Sequence, residues 1–151
     1  MDLRAELTPP QVSRQRLDEL CSEILHIADL VLCGSGSADE GITAFNARTG
    51  HSYVALDFAE YDGSRNLVEF ALEAARPARP RIADITTDEL VEIVRRLLAS
   101  DPESDYYLRL LEANVSHPRV SDLIFHPPAE LLDASAEQIV DEALKYRLIT
   151  L

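Results

Sequence analysis

Apolar residues recur at helical spacing through most of this chain. In "TTDELVEIVRRLLASD", Leu90, Ile93, Val94, Leu97 and Leu98 fall at i, i+3, i+4, i+7 and i+8, one face of a helix. Thr86 and Glu89 stand at capping-box spacing at its start. Asp101–Pro102 reads as an N-cap followed by proline at the first helical position. It predicts a second helix to about Val115, with Tyr107, Leu108, Leu111 and Val115 inward. Ser121 can cap a short helical turn. Ser135 and Gln138 form another capping box, and Ile139, Val140, Ala143 and Leu144 stripe a last helix. The second half therefore reads as helix, helix, very short helix, helix.

The first half gives the same order. A long helix over residues 10–33 places Leu17, Leu20, Cys21, Ile24, Ile27, Ala28 and Val31 on one side, and "GSGS" (34–37) ends it. "ADEGITAFNART" is a helix stopped by Gly50, "YVALDFAEYDG" a short element, and "SRNLVEFALEAA" (64–75) a helix. His51 precedes an aromatic-acidic turn as His117 precedes "SDLIF". A diverged internal duplication is one reading of this parallel, on few identities. Between the halves, Pro77 and Pro80 lie among basic residues in "ARPARPRIAD". The expectation is an all-α protein with a helical domain at 1–76, a Pro/Arg linker at 77–83 and a four-helix domain at 84–151.

"NVSHPRVSDLIFHPPAE" (114–130) breaks the helical pattern, since Pro118, Pro127 and Pro128 exclude one long helix. In a single turn, Leu123 and Ile124 can pack inward, leaving Asp122, Phe125 and His126 at the rim. Phe125 then reads either as an ordinary core ring or as an exposed anchor beside an acid.

Composition narrows the function. Hydrophobic residues make up 46%, enough for a core and against wholesale disorder. The net charge of −13 is spread over both halves with no basic patch, which disfavours nucleic acid and suits a basic partner, or solubility alone. Residues 1–16 lack a signal-peptide core, and Glu23, His26 and Asp29 interrupt the most apolar stretch (20–34), so a cytoplasmic, non-membrane protein with reduced Cys21 and Cys33 is expected. No GxSxG, P-loop, GxGxxG or HExxH occurs. His26, His51, His117 and His126 have no metal-ligand spacing, and the two cysteines point about 120° apart on a helix. Asp88/Glu89 and Asp141/Glu142 are sequence neighbours that diverge on a helix. The residues suggest no enzyme, metal or cofactor.

Residues 84–151 resemble the nuclease-bacteriocin (colicin/pyocin) immunity protein family. The likeness rests on "ELVEIVRRLLASD" (89–101), on "HPRVSDLIFHP" (117–127) with its His-Pro, Ser-Asp-Leu-Ile and closing Pro, and on "SAEQIVDEALKYR" (135–147). It implies a four-helix fold with a one-turn third helix, and a protein that binds a basic nuclease toxin beside its catalytic centre and excludes nucleic acid. On matching positions it implies an anchor at Ser121, Asp122, Phe125, His126 and Pro127, and a partner-discriminating face at Asp105, Leu108 and Glu112. The family's anchor carries two consecutive tyrosines, and Phe125–His126 stand in their place here. The rival reading is an acidic helical adaptor or antitoxin-like module with a non-nuclease target.

Overall fold

The computed structural model describes residues 2–63 and 66–146. Among them the chain forms α-helices and short 3-10 turns, and no strand. It divides into two compact units, one of Pro10–Ala78 and the other of Met1–Pro9 with Arg79–Leu151.

In the first unit, Ser13 starts α1 (Arg14–Leu32) by accepting from the Arg16 N–H at 3.1 Å. The helix begins after Pro10 and Val12 rather than at residue 10. Leu20, Ile24, Ile27 and Ala28 are buried, as the periodicity predicts, while Leu17, Cys21 and Val31 are half-buried. α2 (Ala38–Thr49) ends at Gly50, whose φ of 76° places it in the left-handed region that glycine adopts without strain. A glycine also sits inside α2, because a Cβ on Gly41 would come within 3.3 Å of the Ile27 side chain on α1. α3 (Ala55–Glu60) and a 3-10 turn (Tyr61–Gly63) follow. α4 (Leu67–Ala75) begins where Asn66 and Glu69 close a reciprocal capping box; Ser64 and Arg65, expected in this helix, lie outside the described residues. α1 packs on α2, α3 and α4 around an aromatic centre, with Phe58 5.5 Å from Phe45 and 5.3 Å from Phe70 between ring centroids.

The second unit contains α5 (Thr87–Leu98), α6 (Ser104–Asn114), α7 (Val120–Phe125), a 3-10 turn (Ala129–Leu131) and α8 (Ala136–Lys145). α5 packs on α6, α7 and α8. Both predicted capping boxes form, Thr86 with Glu89 and Ser135 with Gln138. Two other expected starts differ. Asp101 does not cap α6: its carboxylate accepts from the Glu103 N–H at 2.8 Å and holds a turn, and the helix begins at Ser104. Ser121 lies inside α7, whose N-cap is Arg119, with no side-chain cap. Leu98 and Leu144, expected inward, are 46% and 42% exposed at the margins of their stripes. Arg147, expected in the last helix, lies outside the described residues.

The core of this unit gathers Leu90, Ile93, Val94 and Leu97 from α5, Tyr106, Tyr107, Leu110 and Leu111 from α6, and Ile139, Val140 and Ala143 from α8. Leu7 completes it and is fully buried. The domain expected at 1–76 is thus corrected at its start, since residues 2–9 pack with α5–α8. Arg4 reinforces the attachment. Its Nε donates to Glu89 Oε2 at 2.6 Å and its Nη2 to Glu89 Oε1 at 3.0 Å, while Nη1 donates to Asp84 Oδ2 at 3.0 Å. The expected linker is also partly structural. Pro80 is buried, the Ile82 N–H donates to Asn114 Oδ1 at 2.8 Å, and Asn114 Nδ2 donates to the Pro80 carbonyl at 2.8 Å.

The two units repeat one order, a first helix, a second, a third of 6 residues, a 3-10 turn and a last helix, with the first helix touching the other three.

Candidate functional site

The site is built on α6 and α7, which pack together. α7 buries Val120, Leu123 and Ile124, and this choice of inward face fixes the outward one. Phe125, one residue beyond Ile124, is carried to the surface and stands 50% exposed. Asp122 lies three residues earlier on the same side, half-buried. Its carbonyl accepts from the His126 N–H at 2.9 Å, closing the last turn below Phe125. His126 is exposed, and Ser121 and Pro127 are half-buried. Two devices hold the approach to this turn. His117 Nδ1 accepts from the Arg119 N–H at 3.0 Å, and the His117 ring packs on Tyr146 with centroids 5.3 Å apart.

On α6, Asp105, Leu108 and Glu112 lie at i, i+3 and i+7, one stripe of the helix. Asp105 and Glu112 are exposed. Leu108 is half-buried against the core, so it offers only an edge to that stripe. The helix turns its buried side through Tyr106, Tyr107, Leu110 and Leu111, and Tyr106 and Leu110 are core positions that the sequence pattern did not single out. Tyr107 is also tied to α5, where Arg96 Nη1 donates to its hydroxyl at 2.7 Å. Val115, expected inward, caps the helix end and is half-buried.

Just beyond Pro128 the chain also exposes Leu132, at 67%. "ELLD" signals a leucine pair without saying which member turns out, and Leu131 is the one that packs. Glu130 and Asp133 are exposed on either side. The surface thus combines apolar projections with carboxylates, suited to a basic protein surface with an apolar centre. Among the described residues no group of three His, Cys, Asp or Glu side chains could hold a metal ion. No described helix is long and apolar enough to cross a membrane.

Residues 82–149 match the family described as colicin immunity protein / pyocin immunity protein. Over 66 residues the chain is 41% identical to the uncharacterized protein YezA of Bacillus subtilis (strain 168), covering 42% of this chain and 93% of that protein. The chain belongs to the colicin/pyocin immunity protein family. The match spans α5 to α8 and so every candidate site residue, and it leaves α1 to α4 outside. Leu7 and Arg4, which complete the immunity unit, also lie outside it. No solved structure matches the chain at a significant level.

Proposed function

We propose that this immunity-family member binds and inhibits a basic nuclease toxin, protecting the cell that makes it, and acts in the cytoplasm without catalysis or cofactor. The observation that carries this reading is Phe125. In the family-matched unit a large aromatic ring is half exposed, held on a closed helical turn, with Asp122 beside it and the acidic stripe of α6 on the neighbouring helix. An aromatic anchor within an acidic surround is the arrangement by which a protein fills a pocket while steering toward a basic partner. In this reading Ser121, Asp122, Phe125, His126 and Pro127 form the anchor. Asp105, Leu108 and Glu112 tune which toxin is held, with Leu108 contributing only its exposed edge. A bound nuclease would be denied its substrate by bulk and by the chain's −13 charge.

The test uses a panel of catalytically inactivated, basic nuclease domains of colicin and pyocin type. At least one is expected to bind the full chain and to lose nuclease activity, in its active form, on stoichiometric addition. Phe125→Ala should weaken that complex by about 2–4 kcal/mol. Failure of every domain to bind, or binding that leaves nuclease activity intact, refutes inhibition of this toxin class.

A further inference from the structure

The unit of residues 10–78 lies outside the family match, yet it presents a surface of its own. α3 and its N-cap expose three consecutive apolar residues, Val54, Ala55 and Leu56, with Val54 at 59% and Leu56 at 62%. Single exposed apolar side chains are ordinary on protein surfaces. This run is distinguished by how firmly the chain beneath it is held. The Tyr53 N–H donates to Asn46 Oδ1 and Asn46 Nδ2 donates to the Tyr53 carbonyl, both at 2.9 Å. The Tyr53 hydroxyl donates to Glu73 Oε1 at 2.6 Å, and its ring stacks on His51 with centroids 4.9 Å apart. The Val54 N–H donates to Asp57 Oδ2 at 2.8 Å. Phe58, fully within the core, sets the inward side of α3 and leaves Val54 and Leu56 outward.

The surroundings carry one sign. Glu60 and Asp62 are exposed and Asp57 is half-buried, with no Lys or Arg in residues 51–63. Over residues 10–78, five arginines stand against eleven acidic residues. A rigid apolar knob with an acidic rim loses little conformational entropy on docking and favours a basic partner over a neutral one. The immunity unit has the same kind of feature in the same place in its order, on a third helix that is also 6 residues long. The two knobs differ in shape. Val54 and Leu56 are aliphatic and open α3, whereas Phe125 is aromatic and closes α7.

We infer that Val54 and Leu56 form a second docking surface, which takes a basic protein domain offering a shallow apolar depression ringed by Lys or Arg, distinct from the partner held at Phe125. The class of that domain, a basic nuclease, rests on the function proposed above.

The experiment titrates the full chain and its Leu56→Asp, Val54→Asp and Phe125→Ala variants against the same panel of inactivated nuclease domains. Circular dichroism verifies that each variant is folded, as expected for side chains this exposed. The expected result is a panel domain whose Kd rises at least tenfold with Leu56→Asp and with Val54→Asp, and which differs from any domain whose Kd rises with Phe125→Ala. Sedimentation of one domain of each kind with the chain should give a ternary complex. Should the panel bind through Phe125 while Leu56→Asp leaves every Kd within twofold, the second surface is overturned and the immunity reading stands. A wild-type chain that self-associates, and becomes monomeric with Leu56→Asp, overturns it in favour of a second copy as the occupant. If no domain binds the wild type, both readings fall together.

Discussion

Exposure separates two kinds of residue that look alike in the sequence. Leu7 and Phe125 are both apolar residues outside a long periodic stripe, but Leu7 is fully buried and Phe125 is half exposed. Leu7→Ala should therefore destabilise the immunity unit by about 2–5 kcal/mol, read by denaturant unfolding. Phe125→Ala should alter the stability of the free protein by no more than about 1 kcal/mol, so that its effect on binding is read cleanly. A larger loss of stability would make Phe125 a packing residue and remove it from the anchor. Arg4 supplies a pH signature. Its guanidinium holds the Glu89 and Asp84 carboxyls below their ordinary range, Glu89 with further help from Thr86. Carboxyls depressed in this way stabilise the fold while ionised, and the contribution disappears as pH falls through their folded values. The melting temperature should drop on acidification below about pH 4.3, the ordinary glutamate value, and Arg4→Gln should flatten that drop while lowering stability at neutral pH. Parallel profiles for the two proteins would show that the pairing contributes nothing.

At the scale of elements, the immunity unit is discontinuous. The chain supplies Arg4 and Leu7, departs to form α1–α4, and returns at Arg79. The intervening unit has its ends close together, since Arg76 Nε donates to the Pro10 carbonyl at 3.2 Å, a geometry that tolerates insertion and excision. A fragment of residues 79–151 alone should fold with a lower midpoint than one in which residues 2–9 are joined to it through a flexible glycine-serine linker. The difference should be about that of Leu7→Ala, because the fragment lacks the same side chain. Equal midpoints would mean that residues 2–9 lie on this unit without stabilising it. Toxin binding at α6 and α7 should survive excision of residues 10–78 when residues 2–9 are kept.

For the whole molecule, the dominant property is charge. With −13 distributed over both units, association with a basic partner should slow steeply as salt is raised from low to physiological strength, while dissociation changes little. Glu112→Ala, on the exposed stripe of α6, should act mainly through this association rate and through preference among related toxins. Stopped-flow association at two ionic strengths checks both. A salt-independent rate would leave the charge with a role in solubility only.

Most self-contained local chemistry was legible, although the caps expected at Asp101 and Ser121 do not form. The capping boxes at Thr86 and Ser135, the stop at Gly50, the helical faces of α1, α5 and α8 and the brevity of α7 all follow from residues within one turn of each other, so the sequence by itself determines them. The motif "HPRVSDLIFHP" pointed to the immunity family for the same reason, as a compact, ordered run of residue types. What the sequence left open depends on partners far along the chain. Whether Phe125 is core or surface was decided by Val120, Leu123 and Ile124 claiming the inward side of a helix only 6 residues long. Arg4 meets Glu89 across 85 positions, and Leu7 joins a core built from α5, α6 and α8, so no local pattern could assign residues 2–9 to that unit. Tyr53 likewise acquires its role from Asn46 and Glu73, on helices either side of it. Periodicity specifies a face, and only tertiary packing decides what that face meets.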